Sequence, residues 1–396
     1  NNYSYLDLND DKKTQENASL NHLALMSSTK ISLEKSEFKI IYFGQIIERE
    51  IPSGFLESPS SAFQNDVNHR IFSSLKHRFL NSYVQFKSAY YDEKNIYTDS
   101  IRSVFGNNPC KTFINQIDFS KSINNFNILK INLTNSLASS NGNNYLGKAE
   151  INRTSITGSY KLNNPKYRLK HLITSSVLFD DKNLSPLTFS YSLKREFYNN
   201  FNLYFNAGKV YRFPTINDLF WSPGGNLDLL PEKGYTSDIG VIWNKNIHKV
   251  SLSFEPSLYS RWIDNWILWQ PNGSFWSPMN VKKVWNRGIE TSSKFHFKNK
   301  KIIYEFTLKT AYNMSTNINV YDANNNSLDK QLIYTPHYKL VFKSQINYKD
   351  FTLTYLHNYT GYRFTSRDNE SFLPSFNLGR LFLSFRLKLK NNSAKI

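Results

Sequence analysis

Apolar and polar residues exchange places at every second position along most of this chain. In residues 351–359, Phe351, Leu353, Tyr355, His357 and Tyr359 share one face, opposite Thr352, Thr354, Leu356 and Asn358. In 338–348, Tyr338, Leu340, Phe342 and Ile346 oppose Lys339, Lys343, Gln345 and Asn347. Segments 126–137, 186–194, 201–208, 249–259 and 302–312 behave alike. A period of two sets one face of a β-strand on an apolar medium and the other on a polar one. β-Branched and aromatic residues fill the runs and glycine is sparse inside them, as half-buried strands require.

Many alternating strands fit either stacked sheets or a membrane barrel, and the connections discriminate. Short ones fall near 34–37, 80–82, 121–125, 162–166, 198–200, 244–248, 299–300 and 349–350. Long polar ones cover roughly 50–66, 93–111, 213–234, 270–279, 317–333 and 366–372, with shorter members at 139–144 and 180–185. Tight turns on one side and long loops on the other are the asymmetry of a transmembrane barrel. Counting between them gives about 18 antiparallel strands, an even number, as bacterial barrels have. Several runs exceed the roughly 10 residues needed to cross, so strands are expected to continue above the membrane. The first is expected within the first ten residues. No linker or composition shift divides the chain, and residues 1–396 read as one all-β barrel domain.

Composition then removes alternatives. Of 396 residues, 62 are aromatic, yet mean hydropathy is −0.52, and no apolar run approaches the 18 residues of a membrane helix. A barrel reconciles the two: Phe and Leu meet lipid, Tyr and Trp its interfaces, and polar residues the lumen. So many aromatics also argue against disorder. The single Cys110 excludes an intramolecular disulfide and a Cys-based zinc site. Eight His show neither HExxH nor an i,i+4 pair, and no nucleophile elbow or phosphate-cradling Gly loop occurs. No metal, cofactor or enzymatic activity is expected. The net charge of +18 invites a nucleic-acid reading. Its Lys and Arg are spread along the polar faces of strands, without a basic cluster, so no nucleic-acid partner is expected. Basic rim residues suit lipopolysaccharide phosphates instead. Asp7, Asn9, Asp10 and Asp11 form an oxygen-rich stretch without EF-hand spacing, read as a solvated loop.

One stretch goes beyond generic barrel reasoning. Residues 210–243, VYRFPTINDLFWSPGGNLDLLPEKGYTSDIGVIW, carry Arg212, Pro214, Thr215, Gly225, Asn226, Leu229, Pro231, Glu232 and Gly240. This order resembles the signature of TonB-dependent outer-membrane receptors. Residues 280–297, with Asn280, Gly288 and Glu290, resemble a returning strand of that family. Residues 46–66 resemble the first long outer loop of its vitamin B12 branch, and 373–385 a late barrel strand. Leu227 and Leu230 depart from the Pro and Lys usual there.

The resemblance implies a bacterial outer-membrane receptor that binds a corrinoid or ferric siderophore with its outer loops for TonB-driven uptake. The family barrel has 22 strands and an N-terminal plug that engages TonB. No plug pattern is read here, and the chain ends after 392–396 without the family's terminal aromatic. The expectation is a barrel short of the family's, read as a fragment of a receptor, as a barrel whose plug and closing strands another chain supplies, or as a rebuilt smaller barrel, with outer-membrane lipid or a surface lipoprotein as further partners. The alternatives are a scaffold subunit of an outer-membrane complex and a passive porin.

All seven Trp fall between 221 and 285. Phe220, Trp221, Asn226, Trp269, Asn272 and Trp276 are the ligand-contact candidates, because aromatic rings offer large contact area at low entropic cost. Trp243, Trp262 and Trp266 are expected in an interface girdle. Arg212, Pro214, Thr215, Gly225, Leu229, Pro231, Glu232, Gly288 and Glu290 are read as structural. Pro214 and Pro231 stop the ladder at two strand ends, and Arg212 is expected to pair with Glu232.

Overall fold

The computed structural model describes residues 4–6, 11–52, 60–181, 183–198, 200–273, 275–320, 326–389 and 392–395. Asp7, Asn9 and Asp10 lie outside them. Eighteen strands form a closed antiparallel barrel, with the two-residue piece Asn183–Leu184 added beside Leu169–Asp180. Each strand pairs with its neighbour in sequence. Leu20–Ser32 meets Ser36–Ile51 from Leu20↔Arg49 to Ser32↔Glu37, and the sheet continues to Phe351–Thr360 beside Phe376–Leu389. The short strand Asn392–Lys395 pairs with Arg386–Leu389 and closes the ring.

The register shows why the alternation was needed. Asn206, Asp238, Tyr259 and Gly288 stand in one cross-strand row, as do Lys87, Gln116 and Thr134. Such rows form the inner wall. There Asp118 takes Lys87 Nζ at 2.8 Å and Asn132 Nδ2 at 2.7 Å. Neighbouring rows point out and are apolar: Ile131, Leu133, Ile239 and Leu258 are all exposed, as lipid-facing residues are. Among the girdle candidates, Trp243 stands across from Phe201 and Phe254 near the short-turn end. Trp262 stacks on Trp285, with centroids 5.7 Å apart and planes at 11°.

Two sequence expectations are corrected. The stretches 93–111 and 270–279 are not long loops. Ser82–Asp99 and Val104–Ser122 are joined by residues 100–103 alone, and Val250–Asn272 and Phe275–Lys298 by 273–274. Above the membrane both faces of a ladder are wet, so these strands lose the apolar alternation that marks strands in lipid while keeping their hydrogen bonds. The barrel also begins at Leu20 rather than within the first ten residues; Ser4–Leu6 pairs with Lys12–Thr14 in a separate two-stranded sheet.

Close approach explains one motif glycine. Tyr259 lies across Gly288 and donates from its hydroxyl to Asn313 Oδ1 at 2.8 Å. A Cβ on Gly288 would stand 2.1 Å from the Tyr312 carbonyl oxygen and 2.7 Å from the Tyr259 hydroxyl. Gly288→Ala should therefore lower barrel stability by about 1–3 kcal/mol through overpacking. Gly158→Ala, with nothing within 4 Å of the new methyl, should stay within about 0.5 kcal/mol of the parent. Urea unfolding in micelles, followed by heat-modifiable gel migration, measures both.

Candidate functional site

The long-loop end gathers the candidates around one buried carboxylate. Phe201–Arg212 ends at Pro214, and Thr215 caps the single-turn helix Ile216–Phe220. Thr215 Oγ1 accepts the Asp218 N–H at 3.2 Å, and the Asp218 carboxylate accepts the Thr215 N–H at 2.8 Å, a capping box built with Asp. Asp218 is 5% exposed. Burial of a charge needs partners, and here Trp269 Nε1 donates to its Oδ1 at 2.9 Å while Arg212 Nη1 lies 3.6 Å from Oδ2. Arg212 grips Glu232 with two bonds, at 2.7 and 2.8 Å, the bidentate geometry that fixes a guanidinium. Glu232 Oε1 also accepts the Ile267 N–H at 2.8 Å, which ties the motif to the tall hairpin Val250–Asn272/Phe275–Lys298.

Most of the motif binds this chain to itself. The Pro214 carbonyl accepts from Arg153, and the Pro231 carbonyl from Asn265 Nδ2 at 3.3 Å. Leu229 is buried. A Cβ on Gly225 would stand 2.6 Å from the Trp221 backbone, and one on Gly224 would stand 2.1 Å from the Trp276 carbonyl oxygen. Asn280 straps the loop down: its Oδ1 accepts the Leu230 N–H at 2.8 Å, and its Nδ2 donates to the carbonyls of Leu230 at 3.0 Å and Asn265 at 2.8 Å. Glu290 stands apart from this cluster, on the inner wall facing Ser257 and Ala311.

The six ligand candidates divide. The Phe220 carbonyl accepts the Leu146 N–H at 2.9 Å, and Trp221 meets Tyr145 edge-on at 5.5 Å, so both dock loop 213–231 on loop 141–148. Burial there pushes the Tyr145 hydroxyl up to about 12, with a smaller contribution from Cys110. Asn226 donates from Nδ2 to the Pro278 carbonyl at 3.4 Å and from its N–H to the Asp218 carbonyl at 2.8 Å. Trp269 is committed to Asp218. Asn272 and Trp276 remain exposed, and both lie in strands of the tall hairpin rather than in a loop.

Trp276 is 44% exposed and leans on Tyr334, with centroids 5.4 Å apart. Near them, a cavity of about 190 Å³ opens between the hairpin and residues 327–333, lined by Leu268, Met279, Leu332, Lys330 and Arg367 among others. It is smaller than the roughly 300–1,000 Å³ of sites that enclose a whole ligand, so it suits one group of a larger solute. Sequence reading missed Tyr334, Lys330 and Arg367. Lys330 and Arg367 were marked only by a position in long loops, Tyr334 lay one residue beyond, and pairing of two distant loops brings all three here. Asn369 accepts the Gln331 N–H at 2.8 Å and returns Nδ2 to its carbonyl at 2.9 Å.

Two predictions test this assembly. Asn280→Ala leaves the Leu230 amide and two carbonyls without their partner, a cost of about 1–3 kcal/mol. Limited proteolysis should then cut loop 213–231 at least several-fold faster while the barrel stays intact. In loop 361–375, hydrogen bonds from Ser366 Oγ, then the Glu370 N–H, hold the Asp368 carboxyl below the ordinary aspartate range. A lowered folded pKa gives stability that is fully present above the unfolded value of about 3.9 and is lost as pH falls through the folded one. Protection of the 366–371 amides, corrected for intrinsic exchange, should fall between pH 5 and pH 3 in the parent (both roughly placed from the aspartate range) and be equally low at both in Asp368→Asn.

Comparison with known proteins agrees with this architecture. The profile described as TonB dependent receptor-like, beta-barrel matches residues 50–394. A vitamin B12 transporter BtuB of Photobacterium profundum is 31% identical over 133 residues, 32% of this chain and 19% of that protein. The BtuB of Vibrio vulnificus is 30% identical over 92 residues, 23% of this chain and 14% of that protein. The matched stretches thus span under a fifth of these relatives. The FrpB iron transporter of Neisseria meningitidis superposes with a TM-score of 0.74 at 10% identity, covering 97% of this chain and 69% of that one. The copper transporter OprC superposes at 0.71 with 13% identity, covering 97% and 66%. At such identities the superpositions speak for the fold. With the family profile across most of its length, the chain belongs to the TonB-dependent receptor β-barrels of the bacterial outer membrane.

Proposed function

We propose that this barrel captures a scarce nutrient at its long-loop end for active uptake, a corrinoid first and a ferric siderophore second. The observation that carries the reading is the exposed aromatic pair Trp276–Tyr334 near a small cavity that Lys330 and Arg367 line. Aromatic faces take planar or polycyclic solutes, and the two cations suit the phosphate or carboxylate groups that such solutes carry. The BtuB relatives, whose name states vitamin B12 transport, favour the corrinoid. Two solved neighbours, a ferric-catecholate import receptor and the siderophore receptor PirA, keep the siderophore in second place. Uptake of this kind draws on TonB through a plug domain, so TonB and a plug, on this or another chain, belong to the same proposal. Lipopolysaccharide at the rim belongs to it too.

Equilibrium binding of cyanocobalamin and of a ferric siderophore to the refolded chain tests the reading. One of the two should bind saturably, and Trp276→Ala and Tyr334→Ala should each weaken it at least tenfold, about 1.4 kcal/mol. Absence of binding by both solutes, or full affinity in both variants, would refute this site.

A further inference from the structure

The lipid face at the short-turn end carries a second feature, independent of the outer loops and of the lumen. Arg195, in Thr188–Tyr198, stands across from Leu203, and Lys245, in Glu232–Ile247, stands across from Leu252. Both pairs belong to the rows of Phe205, Ile239 and Leu258, which face lipid, so the two cations point outward. Both are exposed, and among the described residues neither makes an ion pair or a side-chain hydrogen bond. The Arg195 guanidinium turns over the Phe197 ring, 4.6 Å from its centroid. Phe197 meets Phe201 edge-on at 6.0 Å, and Phe201 stands across from Trp243. With Asn200, these three rings bound a surface hollow of about 450 Å³. Arg168 stands in the adjacent turn, where its carbonyl accepts the Glu196 N–H at 3.1 Å.

A cation on the lipid face is costly unless it reaches the interface and meets an anion there. The chain nearby supplies none: in 161–172, 195–204 and 244–253 the sole carboxylate is Glu196, which stands across from Asn202 on the inner face. Other short turns share this composition. Turns 165–168, 248–249 and 299–301 hold Lys166, Arg168, Lys249, Lys300 and Lys301 and no carboxylate. Leu33, Leu80, Ile123, Phe126 and Tyr167 stand exposed in short turns of the same rim. Cations among bare apolar side chains match an anionic bilayer surface, where the first meet phosphates and the second meet acyl chains. A soluble anion would leave the apolar residues unused. We propose that Arg168, Arg195 and Lys245 hold the headgroup of an anionic phospholipid, of phosphatidylglycerol type, in the leaflet on the short-turn side. Its acyl chain lies against Phe197, Phe201 and Trp243, and the two free oxygens of its phosphodiester match the forked donors of a guanidinium.

Native mass spectrometry tests this on the full chain, released from micelles doped with equimolar phosphatidylglycerol and phosphatidylcholine of the same acyl chains. The expected result is retention of phosphatidylglycerol over phosphatidylcholine. Arg195→Gln/Lys245→Gln should lower that retention about tenfold, the order of effect of two cations near a charged surface, and Lys245→Arg should keep it within a few-fold. Lys94→Gln/Lys148→Gln makes the same charge change in exposed residues toward the long-loop end, and should leave retention unchanged. Excess glycerol 3-phosphate should not displace the lipid. Heat-modifiable migration reports that each variant folds; should the first not fold, Lys245→Gln alone carries the same direction of change. Equal retention of the two lipids by the parent, unchanged retention in the Gln variants, or displacement by glycerol 3-phosphate overturns the site. The measurement uses no nutrient, so it stands or falls apart from the uptake reading.

Discussion

Hydrocarbon offers no hydrogen bonds, so every backbone N–H and C=O that lies in the membrane must find its partner within the protein. A sheet satisfies this only by closing on itself. That demand dictates the antiparallel neighbour-to-neighbour pairing, the even strand number and the closure through Asn392–Lys395. It also dictates the alternation, because a closed sheet has an inside and an outside and successive side chains must serve one or the other. Aromatic abundance and negative hydropathy, contradictory in a water-soluble domain, are two faces of the same wall.

Against that regularity the family motif reads as architecture. Pro214 and Pro231 end two paired strands, Thr215 and Asp218 start a helical turn in the gap, and the Arg212–Glu232 fork spans its mouth. Asp218 then collects an indole and a guanidinium in a buried position. A carboxylate so held is costly to disturb, because removing one partner leaves charge buried without compensation. The motif's chemistry serves to hold a loop at a fixed height over the pore. Beside it, Trp276 and Tyr334 keep their rings exposed and in contact with each other.

Strands in lipid were legible in the sequence because the membrane enforces the two-residue period. The run 351–359 displays it almost residue by residue, and it forms a strand with the faces read from its pattern. The signal fails where both faces are wet, as in 93–111 and 270–279, whose polar residues suggest loops while their backbones continue the ladder. The Arg212–Glu232 pair could be read from spacing across a hairpin. The Trp269–Asp218 bond could not, since it joins residues 51 apart through tertiary packing. Tyr334 and Arg367 were invisible for the same reason. Arg195 and Lys245 were present in the sequence only as diffuse charge; strand register sets them on the lipid face beside one hollow.

Strand length varies around the ring in a way that shapes the mouth. Ala62–Phe79, Ser82–Asp99 and Val104–Ser122 run 18, 18 and 19 residues, and across the barrel Val250–Asn272 and Phe275–Lys298 run 23 and 24. Between these walls lie strands of 10–12 residues on both sides. The rim is a saddle, with two crests and two dips. Loop 213–231 rises from one dip and segments 326–337 and 361–375 from the other. From opposite flanks, the first and the second both lean on the Val250–Lys298 crest, one through Asn280 and Asn226, the other through Tyr334 on Trp276. That crest works as a mast with stays on either side. Any shift of that hairpin bears on both loops at once, because each is fastened to it by its own contacts.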